Sequence, residues 1–306
     1  MGNAPSRPRA AADLPEPQPP DLPSDPTARW PQLSRVGIRL PLRDYLTEVW
    51  RRREFTVTVP LGELKAQNQD TALGQLWHLL NPLLLIGIYY VIFGVLLDVE
   101  ERGGVEAYLP FLIVGVITFN YTRSSVETGA RMILKNRKLV RSINFPRAIL
   151  PMSAMVSETL AHLYAIPVML VLLLVIDGGP SVSWRWLLLV PVLLVHAAFN
   201  LGLGMIVARA SFHFRDVRQF LPYALRLYLY GSGVIIPINA ALIPQDAPRT
   251  LLQLNPMYAI IEMTRETLLG GPIRPHVWML GTAWALVVLV GGFWFFRRAE
   301  NEYGRV

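Results

Sequence analysis

The sequence predicts an all-α, polytopic membrane protein with six transmembrane helices, and two observations support this fold class. First, 52% of the 306 residues are hydrophobic and only 17% are charged, whereas a soluble domain usually carries about 25% charge. Second, the hydrophobic residues fall into six blocks near or above the ~20 residues that a helix needs to cross about 30 Å of hydrocarbon. The net charge is +7, and many of the basic residues lie next to these blocks. This placement is typical of membrane topology signals and does not indicate nucleic-acid binding.

A Pro-rich cytoplasmic tail, residues 1–35, comes first along the chain. Nine prolines within its first 31 residues and the lack of an apolar run predict a disordered segment. Met1–Ser6 matches the loose N-myristoylation pattern, but a chance match in a Pro-rich tail is the favoured explanation. Amphipathic interfacial segments in residues 36–75, a six-span transmembrane domain in residues 76–298 and a cytoplasmic tail in residues 299–306 complete the predicted organisation.

The interfacial region begins with an amphipathic helix. Its apolar face consists of Leu42, Tyr45, Leu46, Val49 and Trp50. Basic and acidic residues occupy the opposite face, so we predict a helix that lies in the membrane interface. The alternative is a helix packed on a soluble partner. A short extended piece, Phe55–Val59, and a second amphipathic segment, Leu61–Gln69, are predicted to follow.

The transmembrane domain is predicted from the apolar blocks. The six spans are Leu76–Leu97, Tyr108–Val126, Phe145–Ile176, Trp184–Val207, Phe220–Ile243 and Val277–Phe296. The third contains three prolines, so we expect it to be kinked or preceded by a short surface helix. The apolar segment Asn255–Gly270 lies too close to the sixth span to cross fully, and it predicts a re-entrant outer hairpin packed in protein.

Positive charge alternates between the connections and predicts the orientation. Asp98–Ala107 contains one arginine and four acids, whereas Glu127–Asn144 contains five basic residues. Asp177–Ser183 has no positive charge, and the chain is basic before the first span and after the sixth. Under the positive-inside rule, both termini are cytoplasmic. The basic second connection is also predicted to form a short cytoplasmic helix, with a basic turn that binds anionic lipid as the alternative.

Five short motifs occur in a fixed order along the chain. They are LGQLWHLLNPL at 73–83, KNRKLVRSINFPR at 135–147, FRDV at 214–217, GVIIP at 233–237 and LNP at 254–256. Together they resemble the polysaccharide-exporter subgroup of the type-2 ABC transporter permease family, which exports teichoic acid, O-antigen and cell-wall galactan. The resemblance covers roughly residues 60–300.

The resemblance implies a homodimeric permease in the plasma membrane of a bacterium, which exports a polyprenyl-diphosphate-linked polysaccharide. It also implies two separate ATPase subunits that hold ATP and Mg. The sequence contains no phosphate-binding Gly-x-x-x-x-Gly-Lys-Ser/Thr motif and no Gly-Lys pair, so we expect a transporter subunit without enzymatic activity or a cofactor of its own. The alternatives are an ABC efflux permease for drugs or other small molecules and an integral-membrane glycosyl- or phosphotransferase, for which clustered carboxylates would be needed.

Three groups of functional residues are expected. The ATPase-coupling candidates are Arg131, Lys135, Arg137, Lys138, Arg141, Phe145 and Arg147. The substrate-path candidates are Tyr89, Tyr90, Phe93, Phe119, Tyr121, Glu158, Tyr223, Arg226, Tyr228 and Tyr230. Aromatic rings offer flat faces to sugars, although such rings are also common at membrane interfaces and in packed bundles. The outer-gate candidates are Asn255, Pro256 and Tyr258.

The ionisable groups inside the predicted spans leave several roles open. Glu158 and His162 lie one turn apart on the third span. Glu158 either pairs with His162 or with Arg226, and a proton relay is the sharper alternative. Arg226 either attracts the diphosphate of a lipid head group or extends its side chain to the cytoplasmic interface. The five histidines lack the clustering of a metal site, so no metal is expected.

Overall fold

The computed structural model describes residues 41–51, 77–103, 107–136, 146–176, 182–238, 246–300 and 302–303. Within these residues, every regular element is a helix and no strand is present. They all belong to one structural unit, Arg39–Val306. The all-α prediction is therefore confirmed for this part of the chain. The predicted Pro-rich tail and the segments Phe55–Val59 and Leu61–Gln69 lie outside the described residues.

The described helices follow one another along the chain. In order they are α1 (Leu42–Arg51), α2 (Trp77–Tyr89), α3 (Val99–Gly103), α4 (Tyr108–Lys135), α5 (Ile149–Val175), α6 (Leu189–His213), α7 (Val217–Gly231), α8 (Asp246–Gln253), α9 (Pro256–Leu268) and α10 (Pro275–Arg298). A π-helical segment, Tyr90–Leu96, continues α2, and a 3₁₀ turn, Trp184–Leu188, leads into α6.

Three helices of the described residues are long and apolar enough to cross a membrane: Ile149–Val175, Trp184–His213 and Pro275–Arg298. They correspond to the third, fourth and sixth predicted spans. The second of them continues six residues past Val207, and the third extends two residues beyond the predicted span at each end. A shorter apolar helix, Leu80–Leu96, lies within the first predicted span. The chain is therefore an integral membrane protein, and the full six-span topology stays a prediction.

The second predicted span is longer than the sequence pattern indicates. Helix α4 has 28 residues and continues to Lys135, about 42 Å at 1.5 Å per residue, whereas the apolar block ends at Val126. Its first half forms the centre of the bundle, where Leu112, Val114 and Val116 have no exposed surface. The helix continues past Val126 because its charged residues remain in helical register and pair with one another there.

In the described part of the fifth predicted span, Phe220–Ile243, the helix ends at Gly231. Helix α7 has 15 residues, about 22 Å, and is thus shorter than the ~30 Å hydrocarbon core. It ends because Gly233 adopts a φ of 65°, a left-handed conformation that glycine tolerates and that stops the helix. Residues 239–245 lie outside the described part of the chain.

The third predicted span begins later than expected. Helix α5 starts at Ile149, and the Ile149 amide donates to the Pro146 carbonyl in the turn before it. Pro151 lies in the first turn of the helix, where the missing N–H has no intrahelical partner to lose. Pro167 lies inside the same helix. The expected surface helix before this span falls on residues 137–145, which the structure does not describe.

Glycine allows α6 to approach its neighbours closely. A Cβ on Gly202 would lie 2.3 Å from the Val288 carbonyl oxygen, and one on Gly292 would lie 2.3 Å from the Gly202 carbonyl oxygen. On the other side of α6, a Cβ on Gly129 would lie 2.9 Å from Gly204 Cα. Lipid supplies little hydrophobic drive for helix association, so this backbone contact lets van der Waals packing hold α4, α6 and α10 together.

The segment that sequence patterning predicts as a re-entrant hairpin contains α9, with α8 preceding it. The Asn255 side chain accepts a hydrogen bond from the Met257 amide at 2.9 Å, and Pro256 occupies the first turn. This is a favourable helix start, since the cap satisfies a free amide and proline needs none. Met257 and Ile260 have no exposed surface. The helix therefore packs in protein as expected, and its re-entry into the membrane stays a prediction.

Candidate functional site

Four charged side chains, Glu262, Arg265, Glu266 and Arg274, form a connected cluster that we call the charge clamp. Arg265 Nη1 lies 2.9 Å from Glu262 Oε1, and Arg274 Nε lies 2.6 Å from Glu266 Oε1. Arg274 Nη2 also pairs with Glu262 Oε2. Trp278 Nε1 donates to Glu266 Oε2 at 2.8 Å. Two acids match two bases, so the cluster is neutral.

Arg265 extends the charge clamp to two other segments of the chain. Its guanidinium donates to the carbonyl oxygens of Gly233 at 2.9 Å, Val234 at 3.2 Å and Phe111 at 3.2 Å. It also lies 3.3 Å from the centroid of the Phe111 ring, a cation–π arrangement. A side chain at Gly115 would lie 2.7 Å from Arg265 Nη2. The clamp therefore ties α9 to the start of α4 and to the turn after α7.

The outer-gate candidates lie beside the charge clamp. Asn255 Nδ2 donates to the Gly231 carbonyl at 2.9 Å, and Tyr108 Oη donates to the Ile235 carbonyl at 3.0 Å. Pro256 starts α9, and Tyr258 is buried. These contacts hold the end of α7 against α9. A gating role for Asn255, Pro256 and Tyr258 stays a prediction.

Sequence reasoning missed the charge clamp, although the sequence contains a signal for it. Glu262, Arg265 and Glu266 interrupt an otherwise apolar segment at a spacing that places them on one helix face. Ionisable groups in an apolar segment are costly to insert and are therefore informative. What the sequence does not show is that Arg274, beyond the end of α9, turns back to pair with both acids.

A second polar cluster lies inside the bundle, between α4, α5 and α6. The rings of Tyr121 and His162 stack with centroids 4.5 Å apart, and Tyr121 meets His196 edge-on at 4.7 Å. Thr122 Oγ1 lies 2.7 Å from His196 Nε2 and donates to Asn200 Oδ1 at 2.8 Å. Hydrogen bonds between helices hold membrane bundles together, so this cluster explains why three helices converge here.

Several substrate-path candidates lie in this interior. Tyr121 is 3% exposed and Phe119 is 2% exposed, and Phe119 packs on Tyr228 with ring centroids 5.9 Å apart. Their placement favours the packing alternative over a path-lining role. Glu158 accepts a hydrogen bond from Thr128 Oγ1 at 2.6 Å. The pairing of Glu158 with His162 or Arg226, and the proton relay, stay predictions.

Other substrate-path candidates lie on exposed surface. Helix α7 presents Phe220, Tyr223, Leu227 and Tyr230 along one face, where each is at least 49% exposed. Arg226 is exposed on the same helix. Tyr89, Tyr90 and Phe93 are half-buried at the junction of α2 and its π-helical continuation. Short π-helical segments occur frequently at functional sites. The exposed face of α7 and the junction of α2 with its π-helical segment are therefore better candidates for a substrate path than the buried rings of the interior.

Three segments that are distant in sequence meet at a single carboxylate, which we call the anchor. Glu300 Oε1 accepts from Tyr45 Oη at 2.9 Å and from the Arg147 amide at 2.8 Å. The Tyr45 hydroxyl in turn accepts from the Ala148 amide at 3.1 Å. Burial raises the pKa of the Glu300 carboxyl, and the hydrogen bonds from Arg147 and Tyr45 partly oppose that shift.

The anchor also determines where α1 lies. Tyr45 and Val49 are buried, and the Tyr45 ring meets Phe293 edge-on at 6.2 Å. Tyr45 and Val49 of α1 thus pack on the chain's own bundle, while Trp50 is 68% exposed. The helical prediction is confirmed for Leu42–Arg51. Its location in the membrane interface stays a prediction.

The structure describes only some of the ATPase-coupling candidates. Arg131 and Lys135 lie in the last turns of α4, where Arg131 pairs with Glu127 at 3.3 Å. Arg147 is 7% exposed in the turn before α5, and burial lowers the pKa of its guanidinium. Arg137, Lys138, Arg141 and Phe145 lie outside the described residues. In the part of the chain that is described, no group of three or more His, Asp or Glu side chains could hold a metal ion.

The helical membrane bundle and its sequence identify the class of protein. Residues 59–269 match the sequence model of the ABC-2 type transporter family, and the chain therefore belongs to that family. It is 25% identical to the O-antigen export system permease protein RfbA of Klebsiella pneumoniae over 83% of this chain and 95% of that protein. It is 30% identical to the protein of the same name from Myxococcus xanthus over 70% of this chain and 80% of that protein. The predicted family is thus confirmed.

Proposed function

We propose that this chain is the permease subunit of an ABC exporter that moves a polyprenyl-diphosphate-linked polysaccharide across the plasma membrane of a bacterium. The glycan is of the O-antigen, galactan or teichoic-acid type. The main support is the match to the ABC-2 type transporter family over residues 59–269, together with similarity to O-antigen export permeases along 83% of the chain. Three helices of membrane-spanning length agree with a permease role.

The proposed exporter contains two copies of this chain and two separate ATPase subunits, with ATP and Mg bound by the ATPases. Support comes from the sequence, which has no Gly-Lys pair with which to form a phosphate-binding loop. The exposed aromatic face of α7 offers each copy a surface that faces either its partner or the glycan path. We place both termini in the cytoplasm, because positive charge accumulates there in bacterial membrane proteins.

We propose that residues 131–147 contact the ATPase. Arg131 and Lys135 lie at the end of α4 and Arg147 precedes α5, so both ends of this basic segment lie beside helices of the bundle. Reversing the charge of Arg137, Lys138 and Arg141 together should abolish co-purification of the ATPase with the permease. Reversing the single charge of Arg298, an exposed residue at the end of α10, is the control for a charge change outside this segment. Unchanged assembly in the triple variant would contradict this contact.

The transport function is tested by depleting the protein and measuring polyprenyl-linked glycans in each leaflet of the plasma membrane. We expect the lipid-linked glycan to accumulate in the cytoplasmic leaflet and its surface product to decline. Re-expression of the chain should restore both amounts. If no lipid-linked glycan accumulates and only the efflux of small molecules changes, the export of polysaccharide is wrong.

A further inference from the structure

Two arginine–aromatic pairs lie side by side at the C-terminal end of α10. The guanidinium carbon of Arg298 lies 3.4 Å from the centroid of the Trp294 ring, and that of Arg209, on α6, lies 4.1 Å from the centroid of the Phe295 ring. Arg209 Nη1 also donates a hydrogen bond to the Phe295 carbonyl. Trp294 is 56% exposed and Phe295 is 37% exposed. We call these four residues the arginine–aromatic row.

Helical geometry places the whole row on one side of α10. Gly292 faces α6, because a Cβ on it would lie 2.3 Å from the Gly202 carbonyl oxygen. At about 100° per residue, Phe295, Arg298 and Trp294 are turned from Gly292 by about 60°, 120° and 160° in the same direction. The row therefore begins beside the contact of α6 with α10 and continues onto the outer surface of the bundle.

The surface of α10 next to the row is apolar and exposed. Val287 and Val290 are 62% and 66% exposed. Gly291 is also exposed, and a Cβ added to it would meet nothing within 4 Å. Helices α6 and α10 both belong to segments long and apolar enough to cross a membrane, so this surface faces acyl chains. An apolar surface that ends in cationic groups matches the build of a phospholipid.

The row lies at the level of the lipid head groups. Arg298 is the last residue of α10, and Phe295, which Arg209 contacts, precedes it by three residues, or about 4.5 Å. Helix α10 has 24 residues, about 36 Å, and thus exceeds the ~30 Å hydrocarbon core. Its last turn therefore reaches the boundary where phospholipid phosphates lie and where tryptophan is enriched.

The nearby acids do not neutralise Arg209. Glu300 accepts the hydrogen bonds of the anchor, and Glu302 Oε2 lies 2.7 Å from His213 Nε2. Among the described residues, Arg209 forms no ion pair. Its one hydrogen bond there, to the Phe295 carbonyl, uses Nη1, and a guanidinium has five N–H donors. Arg209 therefore keeps donors for an anion.

We propose that the arginine–aromatic row binds the phosphate of an anionic phospholipid, whose acyl chains lie along Val287 and Gly291. Guanidinium–phosphate contacts are charge-assisted, and the stacked rings hold both guanidinium groups in place. Basic sites between transmembrane helices on the cytoplasmic side are suited to anionic head groups, and the proposed orientation puts this end of α10 there. A zwitterionic lipid is disfavoured because its ammonium group is repelled by the two arginines. This inference concerns a lipid that stays bound and does not depend on which glycan is exported.

The test measures the quenching of Trp294 fluorescence by phospholipids that carry bromine near the head-group end of one acyl chain. The purified full-length chain is placed in phosphatidylcholine nanodiscs, and each protein is compared with the same protein carrying Trp294→Phe, so that the difference reports Trp294 alone. Brominated phosphatidylglycerol should bind beside Trp294 about tenfold more tightly than brominated phosphatidylethanolamine, since each arginine near the surface favours an anionic lipid.

Three double variants assign this preference to the row. Arg209→Gln/Arg298→Gln should abolish it, because both cations are lost. Arg209→Lys/Arg298→Lys keeps both charges and should retain most of the preference, which also shows that the bundle still folds. Arg185→Gln/Arg215→Gln removes two arginines outside the row and should retain the full preference.

Three outcomes would overturn the inference. The first is equal quenching of the wild type by both brominated lipids. The second is a preference that survives in Arg209→Gln/Arg298→Gln or disappears in Arg185→Gln/Arg215→Gln, because the general surface charge would then attract the anionic lipid. The third is relief of quenching by undecaprenyl diphosphate at a far lower mole fraction than by unlabelled phosphatidylglycerol, because the row would then bind a transported lipid. The depletion experiment tests polysaccharide export separately.

Discussion

The charge clamp and the anchor hold opposite ends of the bundle by different means. In the clamp, four charged residues within 262–274 form three ion-pair contacts. In the anchor, one carboxylate receives hydrogen bonds from segments that begin near residues 45 and 147. The clamp is local in sequence and electrically neutral. The anchor joins distant segments through a single acid.

This difference has a physical consequence. A neutral group of matched charges keeps its contacts as long as both signs are present, and removing one member leaves the cluster with a net charge. The anchor depends on hydrogen bonds to Glu300, and burial raises the pKa of that carboxyl. The stabilisation that the anchor provides should therefore vary with pH, and it should also depend on the Tyr45 hydroxyl. The end held by the clamp should therefore lose more stability when one member is substituted, whereas the anchored end should be the more sensitive to pH.

The largest expected effect is at the charge clamp. Arg265→Met removes the donor to Gly233, Val234 and Phe111 and takes one partner from Glu262. We expect a loss of about 3–5 kcal/mol in the free energy of unfolding, because two carboxylates then share the single guanidinium of Arg274 and three backbone carbonyls lose a charged donor. The measurement is reversible unfolding of the purified protein. Arg185→Met is the control, since Arg185 is exposed and donates to the Gly271 carbonyl; equal losses in both variants would contradict the clamp.

A smaller loss is expected at the anchor. Tyr45→Phe keeps the ring against Phe293 but removes the hydroxyl that joins Glu300 to the Ala148 amide. The buried Ala148 N–H would be left without its acceptor, which costs about 1–3 kcal/mol. The same unfolding measurement checks this value. Tyr164→Phe, at a position that is 69% exposed, should change stability little, and a comparable loss there would remove the case for the anchor.

The pH dependence sharpens the comparison. Burial raises the pKa of Glu300 above its ordinary value of 4.5, so the folded protein holds this proton more tightly than the unfolded chain does. The resulting stabilisation is complete below pH 4.5 and is lost as the pH rises through the raised pKa. Glu300→Gln should remove this dependence. The check is the free energy of unfolding of the wild type and of Glu300→Gln, measured as a function of pH. If both proteins show the same pH dependence, Glu300 is not the responsible group.

The smallest effect is expected at an exposed contact near the anchor. His213 Nε2 lies 2.7 Å from Glu302 Oε2, with side chains 32% and 53% exposed. Exposed ion pairs contribute about 0–1 kcal/mol, so His213→Gln should lower the free energy of unfolding by less than about 1 kcal/mol. A loss as large as that of Tyr45→Phe would mean that the end of α10 is held by this contact rather than by Glu300.

Much of the fold could be predicted from local patterns. The amphipathic spacing of Tyr45 and Val49 predicts α1, and long apolar blocks predict helices that the structure places at α5, α6 and α10. The ends of the helices were harder to predict from the sequence. Helix α7 ends at Gly231 and α4 continues to Lys135, because a single left-handed glycine and a row of paired charges decide where these helices stop. The mean hydropathy of a sequence window reveals neither the left-handed glycine nor the pairing of the charges.

The sequence by itself determined the helical class, the membrane environment and the family, because each depends on the order and spacing of residue types along the chain. Only the tertiary structure decided which polar groups meet. The partners Arg274 and Glu262, His162 and Tyr121, and Glu300 and Tyr45 are separated by 12, 41 and 255 residues. A sequence pattern does not report how far apart such residues lie in the folded protein. The fold has to bring them together, because burying a charge or a hydroxyl is costly unless a partner lies beside it.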